Sequence, residues 1–175
     1  IILTRIHAVL FTERGVKTTG PQVEKTNGGL LVVYRGKQLY HPSHPRERAE
    51  RIAEEYSLQD RCLVVVPSPL LGYGCDILLQ RLPDTSHLFC IEGDEDLMDL
   101  SMRHLSPSFL KDPRVSFIRT TSTEAALHYI ERNIDVRRFR RVCTVSLNRG
   151  YSLFPDFYRG VSENALRLIL TYWRN

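Results

Sequence analysis

The sequence has 175 residues, of which 42% are hydrophobic and 25% are charged, proportions that are ordinary for a globular protein. A chain of this length suits one domain that buries a core without disulfide bonds or metals. The 24 basic and 20 acidic residues give a net charge of +4, an excess too small to indicate a nucleic-acid partner. No apolar run approaches the roughly 20 residues needed to cross a bilayer, so we expect no membrane partner.

The first third of the chain is expected to decorate a larger fold. Residues 1 to 28 show no long hydrophobic periodicity and predict an irregular amino-terminal arm, with one short strand at 7–11. Two apolar runs, 30–34 and 38–40, flank a glycine-containing link and predict a β-hairpin. Pro45 suits the first turn of a helix, and helical spacing follows in one set of apolar residues: Ala49, Ile52, Ala53 and Tyr56.

The segment 62–74 is the centre of the predicted fold. Residues 62–67 form a continuous apolar run, which is typical of a strand buried on both faces in a parallel sheet. Prolines end this strand, residues 75–81 have the spacing of a short helix, and a second apolar strand at 88–91 ends on Glu92. A strand, turn, helix and strand followed by an acid about 20 residues after the turn is the arrangement of nucleotide-binding α/β units.

The second half of the chain continues the alternation. We predict a helix at 94–103, a strand at 115–118, a helix at 122–134, a strand at 141–147 and a last helix starting at Pro155 or Ser162. These spacings are too long for hairpins and predict a mostly parallel sheet with helices on both faces. The predicted fold is α/β and Rossmann-like (methyltransferase-like) over residues 29–175, with a β-hairpin at the amino-terminal end of this domain.

Candidate ligand-binding residues follow from this layout, because ligands bind outside the carboxyl ends of parallel strands. The candidates lie after the first, second and fourth strands: Ser68, Gly72, Tyr73, Gly74, Glu92 and Asn148. The turn is either a nucleotide-binding site or a structural connection between strand and helix. The second interpretation is favoured slightly, because Leu70 stands where a cofactor-binding turn favours glycine. Glu92 either binds ribose hydroxyls or belongs to the acidic start of the next helix. No single cofactor is predicted; a nucleotide or S-adenosylmethionine is the class that fits.

Three other features carry weaker signals. The spacing of His41 and His44 could seat a metal, but a structural loop is the favoured interpretation and no metal site is predicted. The basic run 137–141 could meet an acidic partner or form a solvated connection. The four cysteines show no Cys-x-x-Cys spacing, which favours buried free thiols and a cytoplasmic location: Cys62, Cys75, Cys90 and Cys143.

One stretch resembles a known family. The sequence from Gly36 through Pro45, followed by Glu47, Ala49 and Arg51, is similar to a segment of the motility accessory factor (Maf) proteins, which are flagellin glycosyltransferases related to nonulosonic (sialic-acid-like) sugar transfer. The resemblance continues in Gly72-Tyr73 at the end of the turn, in Glu92 and Asp94, and in the closing helix from Asn164 to Asn175.

The resemblance implies that residues 28–175 correspond to the amino-terminal Rossmann-like region of such a protein. The chain differs from the family at Ser68 and Leu70, which replace glycines, and at His44-Pro45, which replaces Asp-Pro. The resemblance sets the family's sugar-transferring centre beyond Asn175, so we expect an accessory domain with little or no transferase activity of its own. Its partners would be a downstream glycosyltransferase domain and flagellin.

Two alternatives to this expectation remain open. One is a methyltransferase-like enzyme dependent on S-adenosylmethionine, with Glu92 on the ribose. The other is a non-catalytic interaction module that docks through its basic segments. The sequence does not begin with Met, which we take as an expectation that it is part of a longer protein.

Overall fold

The structure, a computed structural model, describes residues 20–174. Seven strands are present in this range: β1 (Gln22–Thr26), β2 (Gly29–Tyr34), β3 (Lys37–Gln38), β4 (Cys62–Pro67), β5 (His87–Glu92), β6 (Val115–Arg119) and β7 (Arg141–Thr144). Six α-helices accompany them: α1 (Pro45–Glu55), α2 (Cys75–Arg81), α3 (Glu95–His104), α4 (Pro107–Lys111), α5 (Thr123–Asn133) and α6 (Pro155–Arg174). Short 3₁₀ turns cover Val136–Arg138 and Gly150–Leu153.

The main sheet is four-stranded and entirely parallel, which confirms the predicted Rossmann-like architecture. Its strand order is β6-β5-β4-β7. Val65 of β4 lies opposite Phe89 of β5 on one side and Thr144 of β7 on the other. The chain proceeds outward from β4 to β6 and then returns to the far side of β4. Ligands of such sheets bind where the strand order reverses, which here is between β4 and β7.

Strand β4 contributes side chains to both hydrophobic cores, and all six of its residues are buried. Val64 and Val66 point into a core shared with α1, α2, α3, α4 and the amino-terminal sheet. Leu63 and Val65 point the other way, into a core shared with α5 and α6. Helices therefore cover both faces, and the continuous apolar sequence of β4 follows from this two-sided burial.

The predicted hairpin is present and is part of a three-stranded antiparallel sheet of order β1-β2-β3. Tyr34 pairs with Lys37, so the turn contains only Arg35 and Gly36. Their φ angles are 50° and 75°, the left-handed values that a two-residue hairpin turn requires. Leu31 and Val32 of β2 are buried in the core that contains α1. The hairpin is thus packed onto the main domain.

Several expectations about individual elements need correction. Strand β1 (Gln22–Thr26) lies where an irregular arm was expected. Its side chains are mostly exposed, and backbone pairing with β2, which needs no apolar side chains, defines it. The strand predicted at 141–147 ends at Thr144, and α4 was not predicted because five residues are too few for a periodic signal. The strand predicted at 7–11 lies outside the described residues.

The last helix starts at Pro155, the first of the two predicted positions. All four cysteines are free and three of them are buried, in agreement with the sequence analysis. Within residues 20–174, no helix combines the length and the apolarity that crossing a membrane would demand.

A matched pair of leucines tests the two-sided burial of β4. Leu63→Ala should lower the free energy of unfolding by about 2–5 kcal/mol, because Leu63 is fully buried and the substitution leaves a cavity. Leu166→Ala on α6 should change it by no more than about 0.5 kcal/mol, because Leu166 is 36% exposed. Urea denaturation followed by circular dichroism measures both. Equal losses would contradict the assignment of β4 as the central strand.

Candidate functional site

The end of the sheet where a ligand is expected brings together three of the predicted residues. Ser68 follows β4, Glu92 ends β5 and Asn148 follows β7. All three side chains are buried: the exposed fractions of Ser68 and Glu92 are 0% and that of Asn148 is 9%. We call the space outside these strand ends the carboxyl-end crevice. In this structure the protein's own side chains fill it.

Glu92 is the centre of the polar contacts in the crevice. Its Oε2 accepts a hydrogen bond from the Ser68 hydroxyl at 2.6 Å. Its Oε1 accepts from the backbone N–H of Asp94 at 3.1 Å and from the Tyr158 hydroxyl at 3.3 Å. Both carboxyl oxygens are therefore occupied. Removal from water raises the pKa of the Glu92 carboxyl from 4.5 to about 7, although the three hydrogen bonds oppose the shift.

Asn148 joins the ends of β4 and β7. Its Nδ2 donates to the Ser68 carbonyl oxygen at 2.8 Å, and its Oδ1 accepts from the Gly150 N–H at 2.7 Å. A Cβ added to Gly150 would lie 2.7 Å from the Ser68 Cβ, so only glycine fits beside the turn. We refer to Ser68, Glu92, Asn148 and Tyr158 as the Glu92 network. Its members hold three strands and α6 together.

The conformation of the turn after β4 places Ser68 in the crevice and Gly72, Tyr73 and Gly74 away from it. Ser68, Leu70, Gly72 and Gly74 all have positive φ angles, between 46° and 84°. Leu70 is 0% exposed and occupies the position expected of a glycine in a cofactor-binding turn. Left-handed backbone at a residue with a Cβ is costly, so packing must hold Leu70 in place.

Gly72, Tyr73 and Gly74 therefore lie apart from the Glu92 network. Tyr73 accepts a hydrogen bond from the Leu30 N–H at 2.9 Å, and a Cβ added to Gly74 would lie 2.8 Å from the Ala49 carbonyl oxygen. These residues fasten the turn to α1 and the hairpin. They also line a separate cavity of about 190 Å³ that contains the paired Arg46 and Glu50.

The amino-terminal hairpin covers the crevice, a role the sequence analysis did not identify. The Tyr34 hydroxyl donates to Asp94 at 3.1 Å, and Arg35 forms a 2.8 Å ion pair with the same carboxylate. Asp94 also caps α3 by accepting from two backbone N–H groups. Tyr40 accepts from the Leu71 N–H at 3.1 Å and donates to the Pro69 carbonyl oxygen at 3.4 Å. No local sequence signal marks these long-range contacts.

The crevice has limited chemistry in this conformation. Glu92 is fully enclosed and hydrogen-bonded, so a ribose could reach its carboxyl group only by displacing Ser68 and Tyr158. Among residues 20–174 there is no group of three or more His, Cys, Asp or Glu side chains able to hold a metal ion. The arrangement stabilises the end of the sheet, and the polar side-chain atoms of Ser68, Glu92 and Asn148 are all hydrogen-bonded within it.

The other sequence candidates have local structural contacts. His41 Nδ1 accepts from the backbone N–H groups of Ser43 and His44, which orders the loop before α1. In the basic segment, Arg137 pairs with Asp135 and Arg138 donates to the Asp84 carbonyl oxygen. Arg140 stacks on Trp173, and Phe139 is 1% exposed. These arginines are thus engaged by the chain itself.

Glu92→Gln tests the raised pKa of the buried carboxyl. A carboxyl whose pKa is higher in the folded than in the unfolded state destabilises the fold as pH rises from about 4.5 through about 7. The wild-type chain should lose about 3 kcal/mol of unfolding free energy across this window through Glu92, and the glutamine variant should not. Urea denaturation at pH 5 and pH 8 measures the difference.

Glu54→Gln is the matched control, because Glu54 is exposed on α1. Its pH dependence should follow that of the wild-type chain. Identical pH dependence in Glu92→Gln and the wild-type chain would show that Glu92 titrates normally.

Tyr40→Phe tests how the hairpin holds the turn. Loss of the hydroxyl leaves the buried N–H of Leu71 without its acceptor, which should cost about 1–3 kcal/mol of unfolding free energy. Hydrogen exchange at the Leu71 amide should also accelerate. The control is Tyr151→Phe, at a side chain that is 42% exposed, and it should be nearly neutral. Unchanged exchange at Leu71 would refute a clamping role for Tyr40.

Comparison with known proteins shows that the chain is similar to part of a longer protein. It is 31% identical over 160 residues to an uncharacterized protein of Treponema pallidum (strain Nichols). The alignment covers 91% of this chain but 28% of that protein, so the chain spans less than a third of the relative's length. No model of a protein family matches the chain. The similarity therefore concerns one domain-sized part of a larger protein.

Proposed function

We propose that the chain is the amino-terminal Rossmann-like domain of a cytoplasmic flagellin glycosyltransferase of the Maf type. Its role is to support or recruit substrate for a catalytic domain in the rest of that protein. The observation that carries the supporting role is the filled carboxyl-end crevice, where Leu70 and Glu92 are both 0% exposed. The motif resemblance from Gly36 to Arg51 supports the family.

A supporting domain needs a surface for its neighbour, and α6 offers one. Leu166, Leu170 and Trp173 recur at i, i+4 and i+7, and their exposed fractions are 36%, 38% and 42%. Exposed apolar groups that line up on one helix face favour contact with another protein surface. In Maf proteins, the segment that this helix resembles leads into the catalytic domain. The much greater length of the Treponema relative is consistent with such a neighbour.

A methyltransferase-like enzyme is the second candidate, and the position of Glu92 favours it. Glu92 ends β5, the neighbour of β4, where an acid that binds ribose is expected in this architecture. Binding of S-adenosylmethionine would require the Glu92 network to open. The hydrogen bonds from Ser68 and Tyr158 oppose this opening.

Titration calorimetry distinguishes the two candidates. The purified chain should show no saturable binding of S-adenosylmethionine or CMP up to about 1 mM, because Leu70 and the Glu92 network fill the crevice. Incubated with flagellin and a CMP-activated nonulosonic sugar, it should transfer no sugar. A longer Maf protein that includes the catalytic domain serves as the positive control for transfer.

Two outcomes would contradict the proposal. Micromolar binding of S-adenosylmethionine that disappears in Glu92→Gln would favour the methyltransferase. The glutamine variant suits this purpose because it keeps the size of the side chain and one carbonyl oxygen. Robust sugar transfer by the isolated chain would overturn the supporting role.

A further inference from the structure

A second cavity lies beside the end of β7, outside the filled crevice. Its volume is about 200 Å³, and we call it the β7 cavity. The first two turns of α1 form one wall, the loop at His41 forms another, and the segment from Ser146 to Arg149 closes it. It adjoins the point where the strand order reverses, which is the position favoured for ligands in parallel α/β sheets.

The side chains of the β7 cavity carry positive charge without compensation. Its basic lining residues are Arg48, Arg149 and His41, Tyr40 is its other titratable residue, and no aspartate or glutamate between residues 20 and 174 lines it. Neither arginine side chain has an ion pair or hydrogen bond with any residue from 20 to 174. On α1 the contrast is direct, because Arg46 pairs with Glu50 and Arg51 pairs with Glu47.

The backbone that carries these groups is fixed. The Arg149 N–H donates to the Leu39 carbonyl oxygen at 2.7 Å, and the preceding Asn148 belongs to the Glu92 network. His41 accepts backbone N–H groups at Nδ1, so the neutral ring carries its hydrogen on Nε2 and can donate from there. The positive end of the α1 dipole adds to the same side of the cavity.

Two other cavities among residues 20–174 do not share this positive lining. The cavity at Gly72 contains the Arg46–Glu50 pair and Asp76. A cavity between α5 and α6 is lined by Glu124 and Glu131. Uncompensated arginines around a concavity, by contrast, are the groups that recognise phosphate and carboxylate oxygens.

We infer that the β7 cavity binds the oxyanion of a small molecule, a phosphoryl or carboxylate group, through Arg48 and Arg149. Pockets that enclose drug-sized ligands measure roughly 300–1,000 Å³, so a head group of sugar-phosphate size fits better than a dinucleotide. The site does not involve Glu92 or the turn after β4. It is therefore independent of the proposed accessory function.

Titration of the purified chain by two-dimensional NMR tests the site, with inorganic phosphate as the first probe. Saturable shifts are expected at backbone amides of residues 146–149 and of the first turn of α1. Arg48→Gln and Arg149→Gln should each weaken binding at least about five-fold, and the double variant should abolish it. Added sodium chloride should weaken binding, since the attraction is electrostatic.

The control is Arg132→Gln, which removes the same charge from an exposed site on α5 and should leave binding unchanged. Glucose 1-phosphate and N-acetylneuraminate then distinguish a phosphoryl from a carboxylate ligand, and neutral glucose should not bind. Absence of saturation up to about 20 mM phosphate and both organic anions would overturn the inference. Equal affinity in the double variant and the wild-type chain, or equal binding of glucose, would also overturn it.

Discussion

The closed end of the parallel sheet depends on the hydrogen bond between Ser68 and Glu92, because each residue holds further groups in place. The Ser68 carbonyl oxygen accepts a hydrogen bond from the Asn148 side-chain amide. The second carboxyl oxygen of Glu92 accepts hydrogen bonds from the Tyr158 hydroxyl and the Asp94 backbone N–H. One buried contact thereby couples β4, β5, β7 and α6. Hydrogen bonds are stronger away from water, but a buried polar group that loses its partner costs free energy of folding. Loss of one member of the network is therefore expected to destabilise the others.

This coupling explains how a Rossmann-like architecture can be stable without an open pocket at the carboxyl end of its sheet. The parallel order, the turn after β4 and the acid at the end of β5 are all present. Leu70 is buried in the turn, and Tyr34 and Arg35 of the hairpin, together with Tyr40 just after it, close the opening. The β7 cavity, with its two arginines, lies outside this seal. The packing of the turn therefore separates the buried strand ends from the exposed cavity beside β7.

The sequence was sufficient for the parts of the fold whose signal is local. β4 and β5 were recognisable because strands buried on both faces are continuously apolar, and the helices because their buried residues recur at helical spacing. β1 was missed because its side chains are mostly exposed, so only its pairing with β2 defines it. The short α4 gave no periodic pattern.

The site was predictable to the same extent. Ser68, Glu92 and Asn148 were expected together because carboxyl ends of neighbouring parallel strands adjoin. Tyr34, Arg35 and Tyr158 were not, since their contacts join residues 59 to 66 positions apart. Gly72 and Gly74 lie apart from the Glu92 network, because the alternating left-handed turn directs Gly72 toward Leu105 at the end of α3 and Gly74 toward α1.

Leu70 combines a strained backbone with a fully buried side chain. The strain, about 1 kcal/mol at φ 51°, would be relieved by a substitution to glycine. The same change would remove a fully buried side chain, at a cost of about 2–5 kcal/mol or more. Glycine at position 70 is therefore destabilising overall, even though it relieves the local backbone strain. An open turn at this position would need stabilising substitutions elsewhere in the chain.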